Sequence, residues 1–455
     1  VGKKPLKIVA IGVGSESFGR GILADVLGAR ELNDFDCTLA LVDINPVALE
    51  RMFRLAGLLR SHYASGVKLE RTTDRGQALP GADYVVISVA IQRYPLWEQD
   101  FRVPLAYGFR HVLGENGGPG ALFHSLRSFE LVLPICRDIE RLCPDALVLN
   151  YTNPESRVVK AIHALTNVRA VGLCHGIPGA RAAVSRILNR PEEELDMVAG
   201  GLNHFFWFTR IADRQTGEDL YPVLKQRVVE DPDCPAAPPL VRKMMDIFGC
   251  YTYPSDDHIG EYLSFAYEFT GVLWPYGQES RRVPRPGTEP KVEDRLEPYL
   301  RGAKPLDEHI TDKSGEMAIP ILLDIELNRR MWRPAVNVPN GGGYVANLPS
   351  DAVVEVPAWV DGDGVHPDRI GPLPEALAAF CRTQASIQQL LVEAYRKHSR
   401  NLLLQALLLD PVVDSVWKAE QMLDEMLELQ KEFLPEFSQA GASPSPPLTP
   451  VDHHP

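Results

Sequence analysis

The sequence predicts an α/β chain: a parallel sheet covered by helices on both faces, followed by a helix-rich α+β part. Three observations carry that expectation. Short apolar runs alternate with stretches of helical periodicity through the first 195 residues, a Gly-rich turn follows the first of those runs, and strong helical periodicity returns from Pro374 onward.

The first run, 7–11, is rich in β-branched residues and ends at Gly12-Val13-Gly14-Ser15, after which Phe18, Ile22, Val26 and Leu27 recur at helical spacing. This reads as strand, turn, helix. A second run, 38–42, stops at Asp43, and Asn45-Pro46 then opens a helix with Leu49, Met52, Phe53 and Ala56 on its apolar face. Runs 83–89, 146–149 and 170–173 supply three further strands, and the sheet is expected to end near residue 195. Beyond it, 231–239 and 281–290 are rich in Pro and read as loops, while Leu377, Phe380, Ile387, Leu390, Leu391 and Leu402 mark the returning helices. With residues near 329–361 these helices should wall a second domain. The expected organisation is therefore a first domain over 1–195, a second over 196–437, and a low-complexity, disordered tail over 438–455, with His453-His454 solvated there rather than holding a metal.

Composition narrows the function. The chain has 455 residues, 45% hydrophobic and 24% charged, with a formal net charge of −13 and no basic stripe, so nucleic acid is excluded as a partner. Its seven cysteines are scattered without a C-x-x-C pair, which speaks against a disulfide framework or a structural zinc site and for a reducing compartment. No apolar run reaches the roughly 18 to 20 residues that span a bilayer, and no leader segment is recognisable, so a soluble, cytoplasmic protein without a membrane partner is expected.

Gly12 and Gly14 sit where a strand-to-helix turn lets backbone N–H groups approach a pyrophosphate, at the positive end of a helix that Ser15 begins. The third glycine of the usual fingerprint is absent at its expected place, which Ser17 fills with a small side chain. Asp43, closing the second strand, is placed for the ribose hydroxyls of an adenosine and against a 2′-phosphate, so NAD is expected over NADP. The first domain is thus Rossmann-like. Further on, Cys174-His175-Gly176 and Gly201-Leu202-Asn203-His204 each follow an apolar run, so Cys174 and His204 stand at element ends where a sheet opens to a cleft. A thiolate and an imidazole suit a divalent transition metal, with substrate oxygens free to complete the shell. Taken singly, either residue is as readily a buried core side chain.

In combination these segments resemble glycoside hydrolase family 4, the NAD- and manganese-dependent glycosidases. The matching pieces are the Gly12 turn, 100–108 leading to Gly118-Pro119-Gly120, Leu149-Asn150-Tyr151-Thr152-Asn153-Pro154, the Cys174 and His204 motifs, Ser255-Asp256-Asp257-His258-Ile259-Gly260-Glu261-Tyr262, Asn347-Leu348-Pro349 and Val354-Glu355-Val356-Pro357. The likeness runs to about Phe437 and is nearest to the α-galactosidase and α-galacturonidase branch. It implies a lactate/malate dehydrogenase-like fold, NAD and Mn²⁺ or another divalent metal as cofactors, Cys174 and His204 as metal ligands, Asn153 as a substrate contact beside the nicotinamide, and a homodimer or homotetramer. His175 stands where enzymes of 6-phosphorylated sugars carry asparagine, so the resemblance implies a non-phosphorylated α-galactoside, α-glucoside or α-uronide. Gly176 and Ile177 depart from the serine and valine usual in α-galactosidases.

The implied route oxidises sugar carbon 3 by hydride transfer to NAD⁺, removes the acidified proton of carbon 2, expels the aglycone, adds water and returns the hydride, so that net chemistry is hydrolysis without the usual carboxylate pair. Candidates for the proton transfers are Asp100, His175, Tyr253, Asp256 and Asp257. His258 is a candidate substrate contact, and Glu261 either joins these groups or holds a neighbouring loop. Arg329, Arg330 and Arg333 are candidates for an anionic sugar group through bidentate hydrogen bonds. Two competing readings share the first-domain pattern: a plain NAD-dependent dehydrogenase of the lactate/malate type, and a catalytically silent nucleotide-sensing scaffold.

Overall fold

The computed structural model describes residues 2–271 and 295–438, so the excursion expected at 281–290 and the tail beyond 438 lie outside the described residues. The first half runs β1 (Pro5–Ile11), α1 (Glu16–Leu27), β2 (Asp36–Val42), α2 (Pro46–His62), β3 (Lys68–Thr72), α3 (Arg75–Ala78), β4 (Tyr84–Ile87), α4 (Arg93–Ala106), α5 (Gly118–Leu142), β5 (Leu147–Asn150), α6 (Glu155–Leu165), β6 (Arg169–Gly172) and α7 (Gly176–Leu188). Helix α1 starts because Ser15 caps it, its hydroxyl accepting from Phe18 N at 3.3 Å; α2 starts because the Asn45 side chain accepts from Val47 N and Ala48 N, with Pro46 in the first turn. The six strands pair in parallel in the order β3-β2-β1-β4-β5-β6. That order reverses between β1 and β4, where a doubly wound sheet opens a crevice at its carboxyl edge.

The strands alternate their side chains between two apolar layers. Val9, Ile11, Val85, Ile87 and Val148 face one, while Ile8, Ala10, Val86 and Leu149 face the other. The first layer is closed partly by Ile387, Leu391, Leu403 and Met422 from the helices Glu375–Lys397, Arg400–Leu409 and Val416–Leu429. The predicted C-terminal helices exist, and they cover the first half's sheet as well as walling the second half.

The expectation that the sheet ends near residue 195 is corrected. Strands β7 (Leu195–Leu202), β8 (Phe205–Asp213), β9 (Met331–Pro339), β10 (Val353–Asp361) and β11 (Gly364–Pro367) join the same sheet: β6 meets β9 antiparallel, and β10, β7 and β8 follow, with β11 beside β10. Pairing between strands some 165 residues apart leaves no trace in local periodicity. Strand β3, Lys-Leu-Glu-Arg-Thr, was also absent from the sequence reading because a charged edge strand has no apolar signature. Among the described residues no helix is long and apolar enough to cross a membrane.

The missing third glycine is found two positions later. Gly19 lies in α1 where a Cβ would sit 2.0 Å from Val13 O and 2.9 Å from the Met52 side chain, so it performs the close strand-to-helix packing assigned to Ser17. Ser17 lies in the first turns of α1, and its side chain is outside the described part. Because the obstructing atom is backbone, Gly19→Ala should force α1 off the sheet and lose about 1–3 kcal/mol of unfolding free energy in urea titration, with weaker dinucleotide binding. Stability within about 0.5 kcal/mol of wild type would show the contact to be dispensable.

Candidate active site

The loops after the parallel strands converge at the carboxyl edge. Gly12 follows β1 at φ +90°, and a Cβ there would lie 1.9 Å from Ser88 O after β4, so only glycine allows the turn to close against its neighbour. Gly14 N donates to Asp43 Oδ2 at 2.7 Å, and Asn45 N donates to Oδ1 at 2.8 Å, which fixes the Asp43 carboxylate at the end of β2. A cleft of about 1270 Å³ begins here. Gly12, Ser15, Asp43 and the exposed Ile44 line one end, and Tyr151, Thr152, Asn153, Arg93 and Glu115 line the other.

One strand further along the edge stands the sulfur and imidazole pair. Cys174 follows β6, whose neighbour β5 leads to Asn153, and Leu173 N donates to Asn150 O at 2.9 Å. His204 occupies the tight turn between β7 and β8 at φ +61°, a left-handed conformation that disfavours a non-glycine residue by roughly 1–2 kcal/mol. Cys174 Sγ and His204 Nε2 are 3.4 Å apart. That is on the order of the spacing imposed by one ion holding sulfur at about 2.3 Å and nitrogen at about 2.0–2.1 Å. Burial holds His204 neutral, as a ligand must be, and pushes the Cys174 thiol up, so the sulfur loses its proton only when a cation is there to replace it. Among the described residues no three His, Cys, Asp or Glu side chains gather to hold a metal. The sulfur and imidazole are spaced to fit two ligands of one cation.

Around this pair lie Tyr253 and His258, whose rings stack at 4.7 Å and 7°, with His204 4.8 Å from His258 and 5.4 Å from Tyr253. A Cβ on Gly176 would approach Tyr253 Cε2 to 2.7 Å, so the tyrosine occupies the space a serine would need there. His258 Nδ1 is 2.7 Å from Asp257 Oδ1, and Ser255 donates to the same oxygen. Burial opposes ionisation, yet these hydrogen bonds hold Asp257 down to about 2 and raise His258. On the other side His175 Nδ1 pairs with Glu316 Oε1 at 3.1 Å, which raises the imidazole. Burial and the neighbouring Cys174 push the Tyr253 phenol up.

Several expected site residues lie elsewhere. Asp100 is fully buried, its oxygens taken by Arg127 at 3.0 and 2.5 Å and by Gln430 at 3.0 Å, which commits it to joining α4, α5 and the helix Val416–Leu429. Asp256 accepts from Leu240 N and Val241 N at 3.0 Å each and so caps the helix Pro239–Phe248. Arg329 pairs with Glu31 at 3.3 Å, Arg330 lies over the Trp359 ring at 5.5 Å, and Arg333 pairs with Asp324, so each of the three is engaged away from Cys174 and His204. Glu261 holds a loop: one oxygen accepts from Glu115 N, Asn116 N and Gly117 N at 2.7, 2.5 and 2.9 Å. Sequence reasoning missed Arg93, which pairs with Glu115 at 3.0 Å in the cleft, and Glu316.

The sequence profile of Family 4 glycosyl hydrolase matches residues 7–190, and that of the Family 4 glycosyl hydrolase C-terminal domain matches 199–413. The chain belongs to glycosyl hydrolase family 4. It is 32% identical to an alpha-glucosidase of Erwinia rhapontici, over 94% of this chain and 98% of that one, and 31% identical to an alpha-galactosidase of Bacillus subtilis, over 95% and 99%. Near-equal identities leave the sugar to be argued from the site. A 6-phospho-alpha-glucosidase from gut microorganisms, solved in complex with NAD and Mn²⁺, superposes with a TM-score of 0.79 at 26% identity, covering 94% of this chain and 99% of that chain. This family-4 membership makes the chain a hydrolase and removes the plain dehydrogenase as its family.

Beneath the ligand pair, β10 carries Glu355, fully buried, with one oxygen accepting from Asn337 and Asn203 at 3.4 and 3.5 Å and the other without a partner among the described residues. Burial pushes Glu355 up to about 8. A carboxyl raised above its unfolded value of about 4.5 binds more protons folded than unfolded between those values, so its contribution to stability declines as pH rises from about 4.5 to 8. Glu355→Gln should match wild type in melting temperature near pH 5 and exceed it at pH 8 in metal-free buffer. Equal responses at both pH values would show that the carboxyl is ionised in the folded protein.

Proposed function

We propose that this chain hydrolyses non-phosphorylated α-glycosides, with NAD⁺ and a divalent cation such as Mn²⁺ as resident cofactors. The observation that carries the reading is the Cys174–His204 pair, with Cys174 one strand from Asn153, which lines the cleft that begins with the Gly12 turn and Asp43. Gly12, Gly14 and the α1 N-terminus offer backbone N–H groups to a pyrophosphate, and the Asp43 oxygens keep lone pairs for ribose hydroxyls after serving Gly14 and Asn45. Asn153 is placed to orient the sugar beside the nicotinamide. NAD⁺ supplies the hydride acceptor for sugar carbon 3, and the cation polarises the sugar's vicinal oxygens.

The chain's own residues then handle protons. The Asp257–His258 couple keeps a proton available on the imidazole, oriented by the 2.7 Å contact, and the phenol of Tyr253 is stacked on that ring. His258 would protonate the leaving oxygen, and the Tyr253 phenol, pushed up by burial, would take the carbon 2 proton only once a cation beside it draws that phenol down. Against a 6-phosphorylated sugar stands His175, already neutralised by Glu316 and so unable to offer an unpaired cation beside Cys174. An α-glucoside, α-galactoside or α-uronide is the substrate class.

A panel of nitrophenyl α-glycosides and their 6-phosphates, assayed with NAD⁺ and Mn²⁺ present or withheld, tests this. Hydrolysis of the unphosphorylated members should need both additions and accumulate no NADH, and Cys174→Ser should lose activity and Mn²⁺ affinity together. Stoichiometric NADH release, or turnover confined to the phosphorylated members, would refute the proposal.

A further inference from the structure

Residues 312–318 form a strap between the cofactor helix and the ligand pair. Ser314 donates through N, at 2.8 Å, and through Oγ to the buried carboxylate of Asp25 in α1, and Arg20 of α1 donates to Asp312 O at 3.2 Å. Ser314 Oγ in turn accepts from Glu316 N at 3.0 Å, and Ala318 N donates to Tyr151 OH at 2.9 Å, two residues before Asn153. The backbone on both sides of Glu316 is thus anchored to the elements that line the cofactor cleft. Its side chain leaves the strap toward His175: Oε1 takes the imidazole Nδ1 at 3.1 Å, and Oε2 is buried without a partner among the described residues.

A buried carboxylate oxygen lacking a donor is unfavourable unless a ligand brings one. An imidazole about two-thirds exposed would rotate freely, yet here Nδ1 is fixed and Nε2 is the nitrogen left for a ligand. We propose that Glu316 is a positioning residue for substrate: it orients His175 so that Nε2 meets a sugar hydroxyl, while its own second oxygen accepts from an adjacent hydroxyl. The inference rests on the glycosidase reading above, and it adds a polyol contact beside the Cys174–His204 pair. A ligand with vicinal hydroxyls is the chemistry that satisfies both free atoms.

The test uses the full chain with NAD⁺ and Mn²⁺. Glu316→Gln removes the charge without changing shape and should raise KM for the preferred nitrophenyl glycoside about tenfold, the loss expected of a charge-assisted hydrogen bond, with kcat much less affected. Dissociation constants for NAD⁺ and Mn²⁺, measured by direct binding, should stay at wild-type values, and Glu316→Asp should recover part of the loss. His175→Ala combined with Glu316→Gln should cost less than the sum of the two single losses, because one of the two roles of Glu316 acts through His175. An unchanged KM in Glu316→Gln, or additive losses in the double variant, would overturn the proposal. Failure of the wild-type chain to hydrolyse any glycoside would instead overturn the functional reading beneath it.

Discussion

Everything at the site depends on one continuous sheet crossing both halves of the chain. Gly172 on β6, Asn337 on β9, Glu355 on β10 and Gly201 on β7 are successive register partners, a row four strands wide. Two residues past Gly172 comes Cys174, and three past Gly201 comes His204, so the row sets the separation between sulfur and imidazole. Both ends are glycine. A Cβ at 172 would fall 1.3 Å from Glu155 Oε1, and one at 201 would fall 2.6 Å from Phe205 O with φ at +152°. The row's centre carries the opposite character, since Asn337 and Glu355 place polar groups where apolar residues would pack, and Asn203 ties Glu355 to the turn that bears His204. Stability has been traded for placement there, as is common beside sites whose ligands must stand close together.

The same edge gathers the nucleotide turn, Asn153 and Cys174. Parallel strands bring the loops after β2, β1, β5 and β6 to one side, which gives Asp43, the nucleotide turn, Asn153 and Cys174 in spatial order. The antiparallel extension then contributes His204 from a hairpin tip, an element that local strand propensity alone would leave facing solvent. The strap at 312–318 returns from the second half to brace the first, so α1 and the His175 imidazole rest on one short segment.

The sequence was most legible where chemistry and local geometry coincide. Gly12, Asp43, Cys174 and His204 were readable because each closes an apolar run, and position at a strand end is a property of the neighbouring residues alone. Asp256 and Asp257 were indistinguishable by the same logic: adjacent carboxylates in one acidic turn, of which the fold turns the first to a helix N-terminus and the second to an imidazole. Asp100 misled because its burial against Arg127 and Gln430 joins segments up to 330 residues apart. Gly19 escaped because the spacing of the turn is stretched, and Glu316 because a lone carboxylate in a loop carries no motif; its meaning comes only from the histidine it meets.

One sulfur and one imidazole are the proposed grip on a cation at the open edge of this sheet. X-ray absorption at the manganese edge of the Mn²⁺- and NAD⁺-loaded chain addresses that directly, with Cys174→Ser as the comparison. One sulfur scatterer that disappears in the variant, beside an imidazole pattern that persists, is the predicted spectrum. A first shell made of oxygen alone in the wild-type chain would contradict it.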